Sequence, residues 1–358
     1  MTEEAHPLRY GIIGTGMMGV EHLLNLRLFP DVRVTRVADP TPQSREWAHG
    51  IVGDAAVLHE DHRELLAADD VDAVVIATPN HTHAAVLRDA FRTDKHILVE
   101  KPLCTTLEDC HEVVEAAERH RGVFWVGMEY RYMAPVARLI EEVRGGAAGR
   151  LRMLAIREHR FPFLPKVGDW NRFTRNTGGT LVEKCCHFFD LMRLIVDARP
   201  IRVFASGGRD VNHLDESYAG EVPDILDNAF VIVDFEGGAR ALLDLCMFAE
   251  GSRHQEEIAA TGDIGKVECF LPSAELVIGR RDPKHVESSH VTVPDHILKA
   301  GFHHGSTYYQ HAAFQRAIRE RTAPVVSAVD GLWAVAMGLA AERSAKERRP
   351  VDLTELSL

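Results

Sequence analysis

Residues 8–19 read Leu-Arg-Tyr-Gly-Ile-Ile-Gly-Thr-Gly-Met-Met-Gly, and this stretch decides the fold. Leu8 to Ile13 is a short apolar run of strand type, and 16–28 carries a helical pattern that stops at Phe29-Pro30. Between them lies Gly14-Thr15-Gly16-Met17-Met18-Gly19. The first glycine of such a turn permits the tight bend and the second lets a pyrophosphate approach the backbone. The third lets helix and strand pack closely, with the phosphates on the helix N-terminus. Glycine-rich turns are common in other settings. Here the turn follows a strand, opens a helix, and is followed by Asp39 at the end of the next apolar run, 32–38. That context makes it a dinucleotide-binding turn.

Asp39 also bears on which dinucleotide is bound. A carboxylate at this point accepts hydrogen bonds from the free ribose hydroxyls of NAD and repels the extra phosphate of NADP. Pro40 follows it, and the first arginine is Arg45, so NAD is the expected cofactor. The competing reading of Asp39 is a cap on the following helix.

Outward from this point, strand-like and helical patterns alternate at βαβ spacing. The runs 71–77, 96–99 and 123–127 read as strands, and 83–91 and 107–120 as helices. This is a doubly wound parallel sheet. Beyond Leu151 the pattern becomes two-residue alternation. Ala241, Leu243, Leu245 and Met247 point one way, while Arg240, Asp244 and Cys246 point the other. Gly237-Gly238 reads as a hairpin turn, and further strands are expected near 201–206, 255–260, 266–270 and 275–278. Two helices close the chain near 306–321 and 328–347, the second opened by Ser327 and Asp330.

The 358 residues are enough for two domains. A formal charge of −12 argues against a nucleic-acid partner. No run reaches the ~20 apolar residues of a membrane span. The opening Met-Thr-Glu-Glu-Ala-His-Pro has neither the basic nor the apolar region of a signal peptide. Six cysteines are scattered without a CxxC pair, as in a reduced, cytoplasmic protein. His81-Thr82-His83, Cys110-His111, Cys185-Cys186-His187 and His303-His304 lack the spacing of a zinc site, so no metal is expected.

Three further landmarks sit at strand ends or helix starts: Thr78-Pro79-Asn80 with His83, Glu100-Lys101-Pro102, and the stretch 178–190. The last reads Gly-Gly-Thr-Leu-Val-Glu-Lys-Cys-Cys-His-Phe-Phe-Asp; as one helix it places Glu183, His187 and Asp190 on a single polar face. With the glycine turn, these segments resemble the Gfo/Idh/MocA family of NAD(P)-dependent sugar and cyclitol dehydrogenases over almost the whole chain. The resemblance implies an α/β protein. An N-terminal Rossmann doubly wound parallel sheet would occupy 1–127. A substrate-binding and oligomerisation α/β domain with a large open, mainly antiparallel sheet would occupy 128–358, its C-terminal helix packing back on the first domain. Homo-dimers or homo-tetramers formed through that sheet are implied as well.

The family's catalytic lysine falls on Lys101, where an ammonium can favour alkoxide character on a substrate oxygen; the Lys101-Pro102 bond is a candidate cis peptide. The general base falls on His187, whose side chain ordinarily titrates near neutrality. Glu183 stands where the family has aspartate, and Cys185 where glycine is common. The cofactor would be held by residues 14–19 and by Asp39, Thr78, Pro79, Asn80, His83, Glu100, Lys101 and Trp170. A small polyol would meet Lys101, Arg131, Arg157, His159, Glu183, His187 and Tyr308. Arg157 and His159 have a plain alternative in solvating a sheet face, and His187 in a satisfied core histidine. The expected reaction is hydride transfer between a secondary alcohol of a sugar, glycoside or cyclitol and NAD. The alternatives are a redox-neutral enzyme with tightly bound NAD, cleaving glycosides through a transient ketone, and a non-catalytic dinucleotide-sensing regulator.

Overall fold

The computed structural model describes residues 6–356, which divide into two compact units. The first comprises the chain up to Glu129 together with Pro294–Leu332, and the second Tyr130–Val293 and the chain from Trp333 onward. The penultimate helix, Ser306–Glu320, belongs wholly to the first unit. Its Phe314 is fully buried, with edge contacts to Tyr10 and Trp125. Most of the last helix, Ala328–Glu347, belongs to the second unit.

Among the described residues the first unit holds a six-stranded parallel sheet. Its strands are β1 (Leu8–Ile13), β2 (Val32–Ala38), β3 (Val57–His59), β4 (Ala73–Ile76), β5 (His96–Glu100) and β6 (Phe124–Gly127). They run in the order β3-β2-β1-β4-β5-β6. The order reverses between β1 and β4, the crevice at which open α/β sheets bind ligands. Ile12, Val74, Val75, Ile76, Ile97, Leu98 and Val99 are completely buried, as apolar strands covered on both faces require. Strand β3 is too short, at three residues, to show a period, and the sequence pattern did not reveal it.

Among the described residues the second unit holds a nine-stranded sheet: β7 (Leu151–His159), β8 (Pro200–Gly208), β9 (Asn228–Phe235), β10 (Arg240–Cys246), β11 (Glu256–Gly262), β12 (Gly265–Leu271), β13 (Glu275–Arg280), β14 (His285–His290) and β15 (Val351–Asp352). The order is β14-β13-β12-β11-β7-β10-β9-β8-β15; β7 and β10 run parallel and the other neighbours antiparallel. The alternation read along β10 is the one observed: Ala241, Leu243 and Leu245 are buried, while Leu242 between them is exposed. Among the described residues no helix is long and apolar enough to cross a membrane.

Candidate active site

At the glycine turn, Gly14 adopts φ 89°, and a Cβ there would lie 2.6 Å from the Ala77 carbonyl oxygen. A Cβ on Gly19 would stand 2.1 Å from the Gly14 carbonyl oxygen. Both positions exclude any side chain. Gly16, by contrast, has nothing within 4 Å of its missing Cβ, which leaves bare backbone where a phosphate would approach. Thr15 is fully buried, Met17 exposed and Met18 half-buried.

Asp39 closes this turn from the side. One carboxylate oxygen accepts the Thr15 N–H at 2.8 Å and the other the Thr41 N–H at 2.8 Å. It therefore serves as a local cap while keeping lone pairs for a ribose hydroxyl. Arg45 donates to the Asp39 carbonyl at 2.7 Å and pairs with Glu60 at 2.7 Å.

At the neighbouring strand ends, Asn80 is buried, and its Nδ2 has no hydrogen-bond partner among the described residues. A buried amide donor of this kind suits a bound polar ligand. His83 is placed otherwise. It is completely buried, with Nδ1 2.9 Å from the Pro102 carbonyl and Nε2 3.0 Å from the Thr78 carbonyl. Burial lowers its proton affinity although both carbonyls favour the charged form. It ties two loops together and offers no surface to a cofactor, which corrects its expected role.

Glu100 ends β5, and its Oε2 accepts the Lys101 N–H at 3.1 Å. Its Oε1 lies 2.9 Å from His22 Nε2, and His22 Nδ1 lies 2.9 Å from His311 Nε2. His311 Nδ1 has no hydrogen-bond partner among the described residues. Burial, chiefly, holds His311 well below the ordinary histidine range, so it is neutral. The two imidazoles thus link His311 through His22 to the Glu100 carboxylate. Burial pushes the Glu100 carboxyl upward, but His22 and the Lys101 charge outweigh it and hold it below the usual range. The Lys101–Pro102 peptide is cis.

Beside this chain, Glu21, Glu129 and His303 each bring a ligand atom within 4.8 Å of the others. His303 Nδ1 lies 3.0 Å from Glu21, and the Thr307 hydroxyl is 2.6 Å from Glu129. The Thr307 hydroxyl also donates to Glu21 at 3.1 Å, which ties the start of the Ser306–Glu320 helix to the Met17–Leu26 helix. Tyr308 was expected at the substrate. It stacks on Phe29 instead, centroids 4.5 Å apart. Phe29 lies past the far end of the ten-residue Met17–Leu26 helix, roughly 15 Å from the glycine turn.

In the second unit, Gly178 and Gly179 adopt φ 80° and 99°, and a Cβ on Gly179 would lie 2.3 Å from the Glu342 carboxylate. That carboxylate accepts the Leu181 N–H at 2.9 Å and so caps the turn. The expected single helix is two, Thr180–Glu183 and Cys186–Val196, because Cys185 has ψ −6° and flattens the turn between them. Glu183 and His187 still fall about one turn apart, both buried. Asp190 grips Arg131 through a two-point ion pair, with Nε donating at 2.6 Å. Arg131 thus braces this helix, which is a different task from the substrate contact expected of it. Trp170 is half-buried on the Val167–Arg172 segment, its carbonyl accepting from Asn176 at 2.9 Å.

Arg157 and His159 do not reach the His187 side. Side chains alternate along β7, and Glu158 points to the helical face, where it meets Lys184. Arg157 and His159 therefore project from the opposite face. There Arg157 pairs with Glu257, and His159 lies 3.0 Å from Asp244.

The first unit carries a dinucleotide turn and a lysine that follows a strand end, and the second carries a buried histidine about one helical turn from a buried carboxyl group. Residues 8–128 match the model of an oxidoreductase family with an NAD-binding Rossmann fold, and 140–353 match its C-terminal α/β domain. The chain belongs to the Gfo/Idh/MocA oxidoreductase family. The first unit is accordingly an NAD-binding Rossmann domain, and NAD is its cofactor. The chain is 26% identical over 359 residues to myo-inositol 2-dehydrogenase of Thermotoga maritima, covering 98% of this chain and 99% of that one. It is 25% identical to the NAD-dependent scyllo-inositol 2-dehydrogenase of Bacillus subtilis, over 97% of both. Among solved structures it shares its fold with an oxidoreductase domain protein of Kribbella flavida (TM-score 0.84, 23% identity, 97% and 99% coverage). It shares it equally with levoglucosan dehydrogenase in complex with NADH (TM-score 0.83, 23% identity, 97% and 99% coverage).

Sequence reading missed the buried Lys184, Glu158 and Glu256 and the half-buried Glu342, all in the second unit. Only one signal for them was legible, a lysine beside two cysteines in the run that carries Glu183 and His187.

Proposed function

We propose that this oxidoreductase oxidises a secondary alcohol of a sugar or cyclitol to the ketone, with NAD as acceptor. The observation that carries the reading is His187, buried on a helix entered through a glycine pair and braced by Arg131–Asp190. An imidazole held in this way suits the abstraction of a hydroxyl proton. Bound NAD supplies the hydride acceptor. The balance is one alcohol carbon losing a hydride and its hydroxyl losing a proton, leaving a C=O bond. In this reading His187 takes the proton, Lys101 stabilises negative charge developing on the oxygen, and Glu183 orients substrate or imidazole. The inositol dehydrogenases among its relatives support a cyclitol or sugar as substrate. A screen of NADH formation over cyclitols, aldoses, aminosugars and glycosides tests this. Stoichiometric NADH with one of these classes is expected; tight NAD binding with no NADH from any of them would overturn it.

An exposed apolar row supports the homo-oligomeric assembly implied by the resemblance. Phe204, Ile232 and Leu242 are exposed and stand in one cross-strand row on the outer face of the large sheet. Sedimentation of the native protein against a Phe204→Asp/Ile232→Asp variant tests whether a second copy covers them; an unchanged sedimentation coefficient would exclude this face.

A further inference from the structure

His187 rests on a polar assembly built entirely within the second unit. The Tyr130 ring lies flat against the His187 imidazole, with centroids 4.0 Å apart and planes 8° from parallel. The Tyr130 hydroxyl is 2.6 Å from Lys184 Nζ, and the same ammonium lies 4.8 Å from the centre of the Tyr130 ring. On its other side Lys184 pairs with Glu158 at 2.9 Å. Lys184, Tyr130 and Glu158 are all buried, Glu158 completely. The Oε2 of Glu158 has no hydrogen-bond partner among the described residues, and neither has that of Glu256, which stands opposite it across the β7–β11 register.

Lysines are rarely buried without a task, because taking an ammonium out of water costs more than an ordinary packing contact returns. Burial lowers the proton affinity of Lys184, and Glu158 opposes that shift. A hydrogen bond from a charged donor is roughly twice as strong as a neutral one. An ammonium therefore fixes the Tyr130 hydroxyl more firmly than a neutral side chain would. A ring fixed at its hydroxyl and stacked at its face leaves the imidazole one plane to occupy, which restricts the directions its ring nitrogens can take.

We propose that Lys184 is a positioning residue for His187, acting through Tyr130, with Glu158 as its counter-charge. The inference rests on the reading of His187 as the base. Its geometry is independent of which alcohol is oxidised.

The test uses four variants of the full-length protein. Lys184→Met alone would strand the Glu158 charge, so it is combined with Glu158→Gln to keep the fold. Tyr130→Leu removes the shelf, Lys184→Arg keeps the charge, and His187→Gln assigns the His187 resonances by their absence. The double variant is expected to keep its NAD affinity and its circular dichroism. It should lose on the order of tenfold in kcat with KM within about twofold, and Tyr130→Leu on the order of 10²-fold, since small misplacements of a reacting group cost this much. Lys184→Arg should recover most of the rate. In NMR spectra of histidine-labelled protein, the ring-current shift of the His187 ring protons should collapse in Tyr130→Leu and diminish in the double variant. That readout needs no substrate. His187 resonances unmoved in the double variant would overturn the positioning role whatever the activity. Resonances that move while kcat stays intact would instead overturn the reading of His187 as the base.

Discussion

Two buried glutamates, one in each unit, sit in contrasting surroundings. Glu100 ends β5 with His22 on one oxygen and the Lys101 amide on the other, and its carboxyl lies below the ordinary range despite its burial. Glu256 begins β11. Burial, chiefly, pushes its carboxyl up to about 7, the Glu158 charge adds to the rise, and Lys184 only partly offsets it. Glu342 is pushed up to about 7 by burial as well, its bond from the Leu181 amide notwithstanding. Depth is nearly the same for Glu100 and Glu256; the partners differ. A buried carboxyl that receives donors on both oxygens stays charged beside the candidate catalytic lysine. One that faces a second carboxyl becomes a neutral-range titrating group in the packing under His187.

The largest effect expected on this contrast comes from the residue that follows the charged glutamate. Lys101→Ala should fold and bind NAD normally while losing on the order of 10²-fold or more in turnover, as for a donor to a developing oxyanion. Steady-state kinetics together with NAD titration of the variant check this. A near-normal rate would make Lys101 structural. One step behind it, Glu100→Gln should cost about tenfold in kcat with NAD affinity little changed, because a neutral amide no longer supports the Lys101 charge. Glu256→Gln should leave kcat within about twofold, and a comparable loss in both variants would erase the distinction between the two sites.

The stability effects should carry opposite signs. The native pKa of Glu100 lies below its unfolded value, so its contribution is present above the unfolded value, about 4.3, and is lost as pH falls through the native one. The native pKa of Glu256 lies above its unfolded value. Stability should therefore fall as pH rises from about 4.3 to about 7 and stay reduced above that, by on the order of 3 kcal/mol at most. Glu256→Gln should raise Tm at pH 8 by roughly 5 °C and leave it little changed at pH 5. Thermal unfolding across that range decides it, and a Tm gain larger at pH 5 than at pH 8 would reverse the assignment.

A narrower effect, confined to cofactor choice, concerns Asp39, each of whose oxygens accepts one amide, that of Thr15 or of Thr41. Asp39→Ala should narrow the preference for NAD over NADP by roughly one order of magnitude, read as a ratio of kcat/KM values. An unchanged ratio would leave Asp39 as a cap alone.

What could be read from the chain follows the same division. The dinucleotide turn was legible because Gly14 and Gly19 answer to backbone geometry, which residue type alone reveals. The alternation of β10 was legible because one face of its sheet is packed and the other is not. The two faces of β7 were visible too, but which face looks toward His187 is set by pairing with β10 and β11, far away in sequence. Arg157 and His159 were misplaced for that reason. Tyr308 and His83 were misplaced because a polar ring at an element end looks the same whether it lines a ligand or ties two segments together. The break at Cys185 leaves every residue near it in right-handed conformation, so nothing in the residue types marks it. Lys184 escaped notice because lysine is among the residues least expected inside a protein.

The most direct test of the account is single-turnover NADH formation by His187→Ala on the substrate that the screen identifies, beside the native protein, with NAD saturating in both. Removing a base that acts only along the reaction coordinate should leave NAD binding within about twofold and slow the hydride-transfer step by on the order of 10²-fold or more. A single-turnover rate equal to that of the native protein, with NAD equally bound, would contradict the assignment of His187 and require another group to take the proton.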